Sequence, residues 1–382
     1  MGVIRGTALY VAAIVGPGIL TLPALAAAKA GPASLIALAG LLAISVPIAF
    51  TFTALHRVVP GPGGIVAYAR QAFGERYGLV VGYWFYLGVP IGVPALGLIA
   101  GSYTATALGG GKAAEVTVGA LITSAALLLN RRRTPGAGQA QLLLTGLLAA
   151  LILITATVSL PHADTGHLSP FAPHGWLALG PAVLVLVWVL TGWEAVTAFA
   201  HGLGDQRAVR RVTAWTLLVV AVLYAAVAVP QILVLGPDAT GAPVADLLRI
   251  GIGPAAATVA AGLAVVIALN NSAAYIASLA ALRSGTPWAA ALISAGGLLV
   301  AAVTDVGTAE FVALCAASQI PVYVSGLAAG VRLLPRWSAS WWCALAATAA
   351  TATLLVPAGL YLLAPAVIAA AVAVLTRTCI NR

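Results

Sequence analysis

The positions best suited to chemistry in this chain are main-chain groups more than side chains. Val15-Gly16-Pro17-Gly18-Ile19-Leu20, with Pro23 beyond, sets two glycines around a proline inside an apolar run. Glycine favours no helix and proline has no N–H to donate, so a regular helix cannot hold this stretch and main-chain N–H and C=O groups are freed. Deep in lipid, freed groups must line a cavity or meet a ligand. The ends of two half-helices there offer partial positive and negative charge, suited to a carboxylate and a cation respectively. The plainer alternative is a kink that allows close packing.

The second position is Glu194, in Trp188-Val189-Leu190-Thr191-Gly192-Trp193-Glu194, the one acid well inside an apolar stretch. An ionised carboxylate at such depth costs at least ~2.5 kcal/mol, so it must be paired, hydrated or protonated. With no cation beside it the charged form is disfavoured, which makes it a candidate proton carrier. The alternative sets Glu194 low enough in its helix to reach water.

Three further clusters carry two readings each. Asn270-Asn271-Ser272 with Tyr275 is an unusual polar group for an apolar run; hydrogen bonding between helices comes first, a place in an ion or substrate site second. Tyr83-Trp84-Phe85-Tyr86, followed by Gly88 and Gly92 and by Gly97 and Gly101, reads as an interfacial aromatic belt and close helix packing before it reads as substrate-facing. Glu310, near Asp305, reads as hydrated.

Other chemistry is not indicated. Cys315, Cys343 and Cys379 are isolated, and His56, His162, His167, His174 and His201 fall in loops or at helix ends, so no metal site, cofactor or enzyme constellation is expected. Lys112 follows Gly109-Gly110-Gly111 without the Ser or Thr of a phosphate-binding loop.

Lipid must be the solvent of the elements that position these groups. Of 382 residues, 62% are apolar and 7% charged, and mean hydropathy is +1.07, more apolar surface than a soluble core can hide. Residues 6–28, 30–56, 77–111 and 250–282 hold no charge, and each exceeds the ~20 residues a spanning helix needs. These runs are apolar all round, whereas barrel strands alternate. Arg5 before an apolar run and Ala24 to Ala28 resemble a cleaved leader, but the run is too long and holds Pro17 and Pro23, so it reads as the first span.

Division at charges and at Gly/Pro clusters predicts about twelve transmembrane helices, centred near residues 16, 45, 92, 121, 150, 188, 223, 267, 296, 319, 347 and 367, the last two split at Val356-Pro357-Ala358-Gly359. The 56–77 loop, with Pro60 to Gly64 followed by apolar Ile65 to Phe73, is expected to lie at or dip into one face. With both termini cytoplasmic, 15 of the 18 basic residues fall inside, leaving Lys29, Lys112 and Arg249 outside, the asymmetry of a multi-pass protein of the cell membrane. The net charge of +9 therefore reports topology and not nucleic acid. Loops this short leave no extramembrane nucleotide domain.

At its two broken spans the sequence resembles the amino acid–polyamine–organocation superfamily of secondary transporters. Gly16-Pro17-Gly18-Ile19 with Pro23 is similar to the superfamily's first-helix signature, and Thr191-Gly192-Trp193-Glu194 to its sixth-helix pattern, with Trp188 at the place of the outer-gate aromatic and Arg207 to Arg211 at that of its basic loop. Leu22-Pro23-Ala24-Leu25, Pro62-Gly63-Gly64 and Val89 to Ala95 resemble bacterial methionine and branched-chain amino acid exporters. The resemblance implies an all-α membrane fold of two inverted five-helix repeats, residues 1–160 and 176–331, plus two final helices in 337–376.

It also implies a substrate held between the first and sixth spans, with the third, eighth and tenth around it. Pro17 departs from the usual Ser or Thr and leaves the carboxylate to Gly18, Ile19 and neighbours. Expected contacts are Val15, Gly16, Gly18 and Ile19 for the carboxylate and Leu190, Thr191 and Gly192 for the ammonium. Trp188 would close the external side, Glu194 would carry the proton, and Asn270, Asn271 and Ser272 form a further polar cluster. The expected activity is secondary transport of a small apolar amino acid, as an exporter exchanging with protons. The alternatives are an uptake permease coupled to protons or sodium and, from another class, a non-transporting sensor or scaffold.

Overall fold

The computed structural model describes residues 2–61, 63–131, 137–199, 203, 205–239, 241–282 and 288–380. Pro62, Arg132, Arg133, His201, Arg283 and Arg382, which entered the loop and topology readings, lie outside them. Among the described residues every regular element is a helix, as expected where no water satisfies the backbone.

The first span is two helices, α1 (Val3–Ile14) and α2 (Leu22–Ala30), joined by extended Val15 and Gly16 and a 3₁₀ turn over Pro17–Leu20. After it come α3 (Ser34–Val58), α4 (Gly64–Phe73), α5 (Glu75–Leu108), α6 (Lys112–Arg131) and α7 (Ala137–Ser159). The sixth span is likewise broken: α8 (Leu179–Leu186) runs into a 3₁₀ turn, Val187–Leu190, and resumes beyond Gly192 through Trp193–Ala195 as α9 (Val196–Phe199). Then follow α10 (Gln206–Pro230), the short α11 (Pro243–Gly251), α12 (Pro254–Leu282), α13 (Trp288–Val303) and α14 (Thr308–Leu333). The chain closes with α15 (Ala339–Thr353), α16 (Leu355–Ala358) and α17 (Leu363–Ile380).

Among the described residues nine helical segments are long and apolar enough to cross a membrane, and Val3–Ile14 and Ala291–Val303 are shorter apolar helices. Twelve spans were expected from sequence. One expected span is the shorter helix Ala291–Val303, and the rest of the difference lies where two segments, Leu22–Val58 and Ala339–Val374, run on for 37 and 36 residues, well past one bilayer crossing. Each contains a glycine with positive φ, Gly31 at 61° and Gly359 at 47°, a backbone state that costs other residues and ends a helix. Gly359 falls at the division expected from Val356-Pro357-Ala358-Gly359.

α5 and α14 form the centre. α5 stays helical through Pro90 and Pro94 because α13 repairs the defect: Pro94 has no N–H for the Pro90 carbonyl, and the Ser294 hydroxyl donates to it instead at 3.2 Å. Small residues bring the neighbours in. A β-carbon at Gly97 would lie 2.8 Å from Gly119 Cα of α6, and one at Gly101 would lie 2.3 Å from the Glu115 carbonyl oxygen, the close approach of small-residue packing. The 56–77 loop folds as α4, which buries Ile65, Tyr68, Ala69 and Ala72 and stacks Tyr68 on Phe52 of α3 at 6.4 Å. Glu310, expected to be merely hydrated, caps α14 by accepting the Gly307 N–H at 2.9 Å.

Candidate functional site

The two breaks face each other. Gly192 has φ +101°, and a β-carbon there would lie 2.7 Å from the carbonyl oxygen of Ala13 and 3.0 Å from Ile14 Cα. Only glycine lets the sixth span come this close to α1. Tyr10 of α1 donates its hydroxyl to the Trp193 carbonyl, and the two rings meet edge-to-face at 5.5 Å. Neither interrupted span is continuous, and neither break turns to lipid.

The breaks free main-chain groups as the Gly-Pro-Gly pattern predicts. Ile19 N–H reaches back to the Gly16 carbonyl at 3.3 Å, while the Gly16 and Gly18 N–H groups have no acceptor among the described residues. In the sixth span both the N–H and the hydroxyl of Thr191 donate to the Trp188 carbonyl, at 3.1 and 2.8 Å. That leaves the Leu190 and Thr191 carbonyls without a donor among the described residues.

Trp188 lies between spans. A β-carbon at Gly18 would touch its ring at 3.4 Å, and one at Gly92 of α5 would touch its far edge at 3.4 Å and Cys315 Sγ at 3.3 Å. Two glycines thus form the slot that holds the indole flat, and it is only 6% exposed. A cavity of about 270 Å³ opens on one side of that ring. Its apolar wall is Phe85, Val89, Trp188 and Cys315, and its polar groups include Gln141, Thr191, Asn271, Gln319 and Tyr323. Ala13, which precedes the first break, and Gly192 and Glu194 of the sixth also line it, so it lies on the side of the membrane that carries the N-terminus.

The opposite side is sealed. Tyr103 of α5 donates to the Leu20 carbonyl at 2.8 Å and accepts the Val244 N–H of α11 at 3.3 Å. Thr21 donates to the Gly241 carbonyl at 3.5 Å. α11 buries Pro243 through Leu248 over this region.

Glu194 is fixed rather than free. Its Oε2 accepts the Gly192 N–H at 3.0 Å and the Tyr323 hydroxyl of α14, whose oxygen also accepts that N–H at 2.9 Å. Its carboxyl group therefore sits on the main-chain N–H released by the sixth-span break. Glu194 forms no ion pair among the described residues.

The structure gathers Trp188, Thr191, Gly192, Glu194 and Asn271 around the cavity. Gly16 sits behind Asn271, whose Oδ1 would be 3.3 Å from a β-carbon there, and Gly18 behind the Trp188 ring. The side chains of Val15, Ile19 and Leu190 are in the core. The Asn270-Asn271-Ser272 cluster divides, because successive helical residues point about 100° apart: Asn271 faces the cavity, Ser272 is fully buried without a partner, and Asn270 does not line it. The aromatic run also departs from an interfacial belt, since Phe85 lines the cavity and Trp84 donates to the Pro365 carbonyl at 2.7 Å.

Gln141, Gln319 and Tyr323 were not singled out from sequence. A lone amide or tyrosine in an apolar run is ordinary, and only the fold shows which helix face meets the cavity.

Two broken spans meeting at a cavity roofed by an aromatic define a LeuT-like carrier of the amino acid–polyamine–organocation type. The fold agrees with that of MhsT in complex with L-phenylalanine, at TM-score 0.61 and 16% identity over 92% of this chain and 98% of that one. The chain matches the amino acid permease family over residues 1–379 and belongs to it. It is 29% identical to the amino acid permease YecA of Bacillus subtilis over 96% of this chain and 93% of that protein. It is also 30% identical to the L-methionine/branched-chain amino acid exporter YjeH of Escherichia coli over 53% of this chain and 47% of that one. The protein is thus a multi-pass membrane protein of an amino acid transport family.

Proposed function

We propose that this permease moves a small apolar amino acid across the cytoplasmic membrane, as an exporter that exchanges it for protons through Glu194. The observation that carries the substrate class is the cavity lining: aromatic and aliphatic walls with amides and hydroxyls, no Lys or Arg, and one acid already engaged by Gly192 and Tyr323. A zwitterion with an apolar side chain suits that lining, whereas a net charge would be costly without a counter-ion. The volume of about 270 Å³ falls below the ~300–1,000 Å³ of sites for larger ligands. The similarity to YjeH supports export of the methionine and branched-chain type.

In this mechanism the freed Gly16 and Gly18 N–H groups take the carboxylate when Asn271 and Trp188 move off them, and the Leu190 and Thr191 carbonyls take the ammonium. Trp188 separates the two sides. The N-terminus is cytoplasmic by the distribution of Arg and Lys, so the cavity opens inward. Glu194 exchanges a proton when the Gly192 and Tyr323 bonds rearrange.

The test loads proteoliposomes with a labelled amino acid panel, imposes a pH gradient, and compares wild type with Glu194→Gln. Gradient-driven efflux of apolar amino acids that is lost in Glu194→Gln is the expected result. Efflux equal in the two proteins removes Glu194 as the proton carrier, and absence of any amino acid flux overturns the transport assignment.

A further inference from the structure

α4 has a second face that the transport site does not use. Ile65, Tyr68, Ala69 and Ala72 form its buried face, while Val66 and Arg70, one helical turn apart, line a separate cavity of about 190 Å³ against the start of α5. The two helices touch at one end of it, where a β-carbon at Gly78 would lie 2.7 Å from Arg70 Cβ and 3.0 Å from its Cα. One turn deeper they part: a β-carbon at Gly82 would meet only Val66 Cγ1, at 3.6 Å. Leu79 and the rings of Tyr83 and Tyr86 complete the wall.

The wedge has the form of a tail groove with a charged mouth. Gly78, Gly82 and Tyr86 follow one another along one face of α5, so the groove runs ~12 Å at 1.5 Å per residue, close to the depth of one leaflet of a ~30 Å hydrocarbon core. Leu79, 39% exposed within a spanning helix, opens it sideways to the bilayer. Arg70 stands at the mouth. Its Nε pairs with Glu75 Oε2 at 2.9 Å, an exposed pair and therefore a weak one, and its guanidinium carries further N–H donors. Arg76 and Arg332 are exposed at the same end, with Arg332 over the Phe73 ring at 5.8 Å, so cations outnumber the acid there.

We propose that this wedge binds an anionic phospholipid of the leaflet on the N-terminal side. The headgroup phosphate accepts from the remaining N–H groups of Arg70, and one acyl chain lies along Gly78 and Gly82 against Val66 and Tyr86. By the distribution of Arg and Lys that leaflet is the cytoplasmic one, whose surface is negatively charged. A soluble anion would gain the arginine but leave the apolar groove empty, and a zwitterionic lipid would bring its own cation toward Arg70, Arg76 and Arg332. α4 also packs on the Trp193–Ala195 turn that carries Glu194, so an occupied wedge steadies a neighbour of the transport site.

Delipidated protein in detergent is titrated with dioleoylphosphatidylglycerol, and melting is followed by fluorescence-detected size exclusion. Saturable stabilisation is expected, much weaker with dioleoylphosphatidylcholine and absent with glycerol phosphate. Arg70→Gln should raise the half-stabilising lipid concentration about tenfold or more, since a hydrogen bond to a charged group is lost. Arg336→Gln, an exposed arginine that does not line the wedge, should leave it unchanged. Gly82→Leu fills the groove while keeping Arg70, and should lose the lipid response; its melting without lipid reports whether it folds. Equal stabilisation by the two lipids, an unaltered half-stabilising concentration in Arg70→Gln, or a full lipid response in folded Gly82→Leu overturns the proposal. So does stabilisation by glycerol phosphate alone, which marks a soluble-anion site, or elution as a dimer that lipid dissociates, which makes a second copy of the chain the occupant.

Discussion

Gly192→Ala tests whether the facing of the two breaks is built on one missing side chain. Gly192 sits at φ +101°, a region that costs a residue with a β-carbon about 1–3 kcal/mol. The added carbon would also lie 2.7 Å from the Ala13 carbonyl oxygen and 3.0 Å from Ile14 Cα. Both are backbone atoms of α1 and cannot rotate away, so the two spans must part, at a further cost of about 1–3 kcal/mol. Together these give about 2–6 kcal/mol against the closed arrangement of α1 and the sixth span. The same movement would strain the Tyr10 bond to Trp193 and the Gly192 bonds to Glu194 and Tyr323. Gly262→Ala in α12 is the control, because a β-carbon there meets nothing within 4 Å and alanine favours a helix by about 1 kcal/mol. Thermal stability is measured in detergent by fluorescence-detected size exclusion, and efflux in liposomes. Gly192→Ala should melt well below wild type and lose flux, while Gly262→Ala should melt at or above wild type. Equal melting and full flux in the two variants would refute the reasoning that Gly192 alone permits the contact.

Tyr323→Phe removes the hydroxyl that Glu194 and the Gly192 N–H share; loss of a hydrogen bond to a charged partner is worth about 1.5–3 kcal/mol, so gradient-driven flux should fall tenfold or more while the protein still folds, read by initial rates in liposomes against melting temperature. Tyr103→Phe unties Leu20 and α11 on the sealed side; at about 1 kcal/mol per neutral bond it should raise, several-fold, thiol labelling of a cysteine introduced at Thr21 from the face opposite the N-terminus. Ser294→Ala leaves the Pro90 carbonyl without its donor and should cost about 1–3 kcal/mol of stability, measured as a lower melting temperature with the half-saturation constant for substrate unchanged.

The breaks themselves were legible in the sequence because they depend on local chemistry. Proline without an N–H and glycine without a β-carbon interrupt a helix wherever they fall, so Gly16-Pro17-Gly18 and Gly192 announced their backbone states in advance. Glu194 was legible for the same kind of reason, since an acid in an apolar run must be accommodated. What accommodates it was not: Tyr323 lies 129 residues away, and nothing in its own neighbourhood distinguishes it from an interfacial tyrosine. The same holds for Gln319 and Gln141, whose meaning comes from three helices converging. The polar run Asn270-Asn271-Ser272 misled by adjacency, because a helix sends consecutive side chains to different faces and only Asn271 reaches the cavity. Hydropathy alone runs neighbouring helices together where apolarity continues through a turn, at Gly31 and Gly359, and in the sequence it is Lys29 and the Val356-Pro357-Ala358-Gly359 cluster that mark those two divisions.

The two sides of Trp188 differ in how their polar groups are committed, and that difference gives the resting state its direction. On the sealed side the hydroxyls of Tyr103 and Thr21 are used up on main-chain carbonyls, and α11 buries its apolar face. On the cavity side the Gln319 Nε2 has no partner among the described residues. A ligand entering on the cavity side would therefore gain hydrogen bonds without first breaking those of the seal. Opening the other side breaks two or three neutral bonds, a cost of a few kcal/mol, which a ligand or proton with comparable preference for the open form can offset. A carrier needs that balance: a seal strong enough to hold and weak enough for one small ligand to release. The Gly18 and Gly92 slot supplies the remaining condition, because glycine gives the indole a contact surface with no side chain of its own to block its movement.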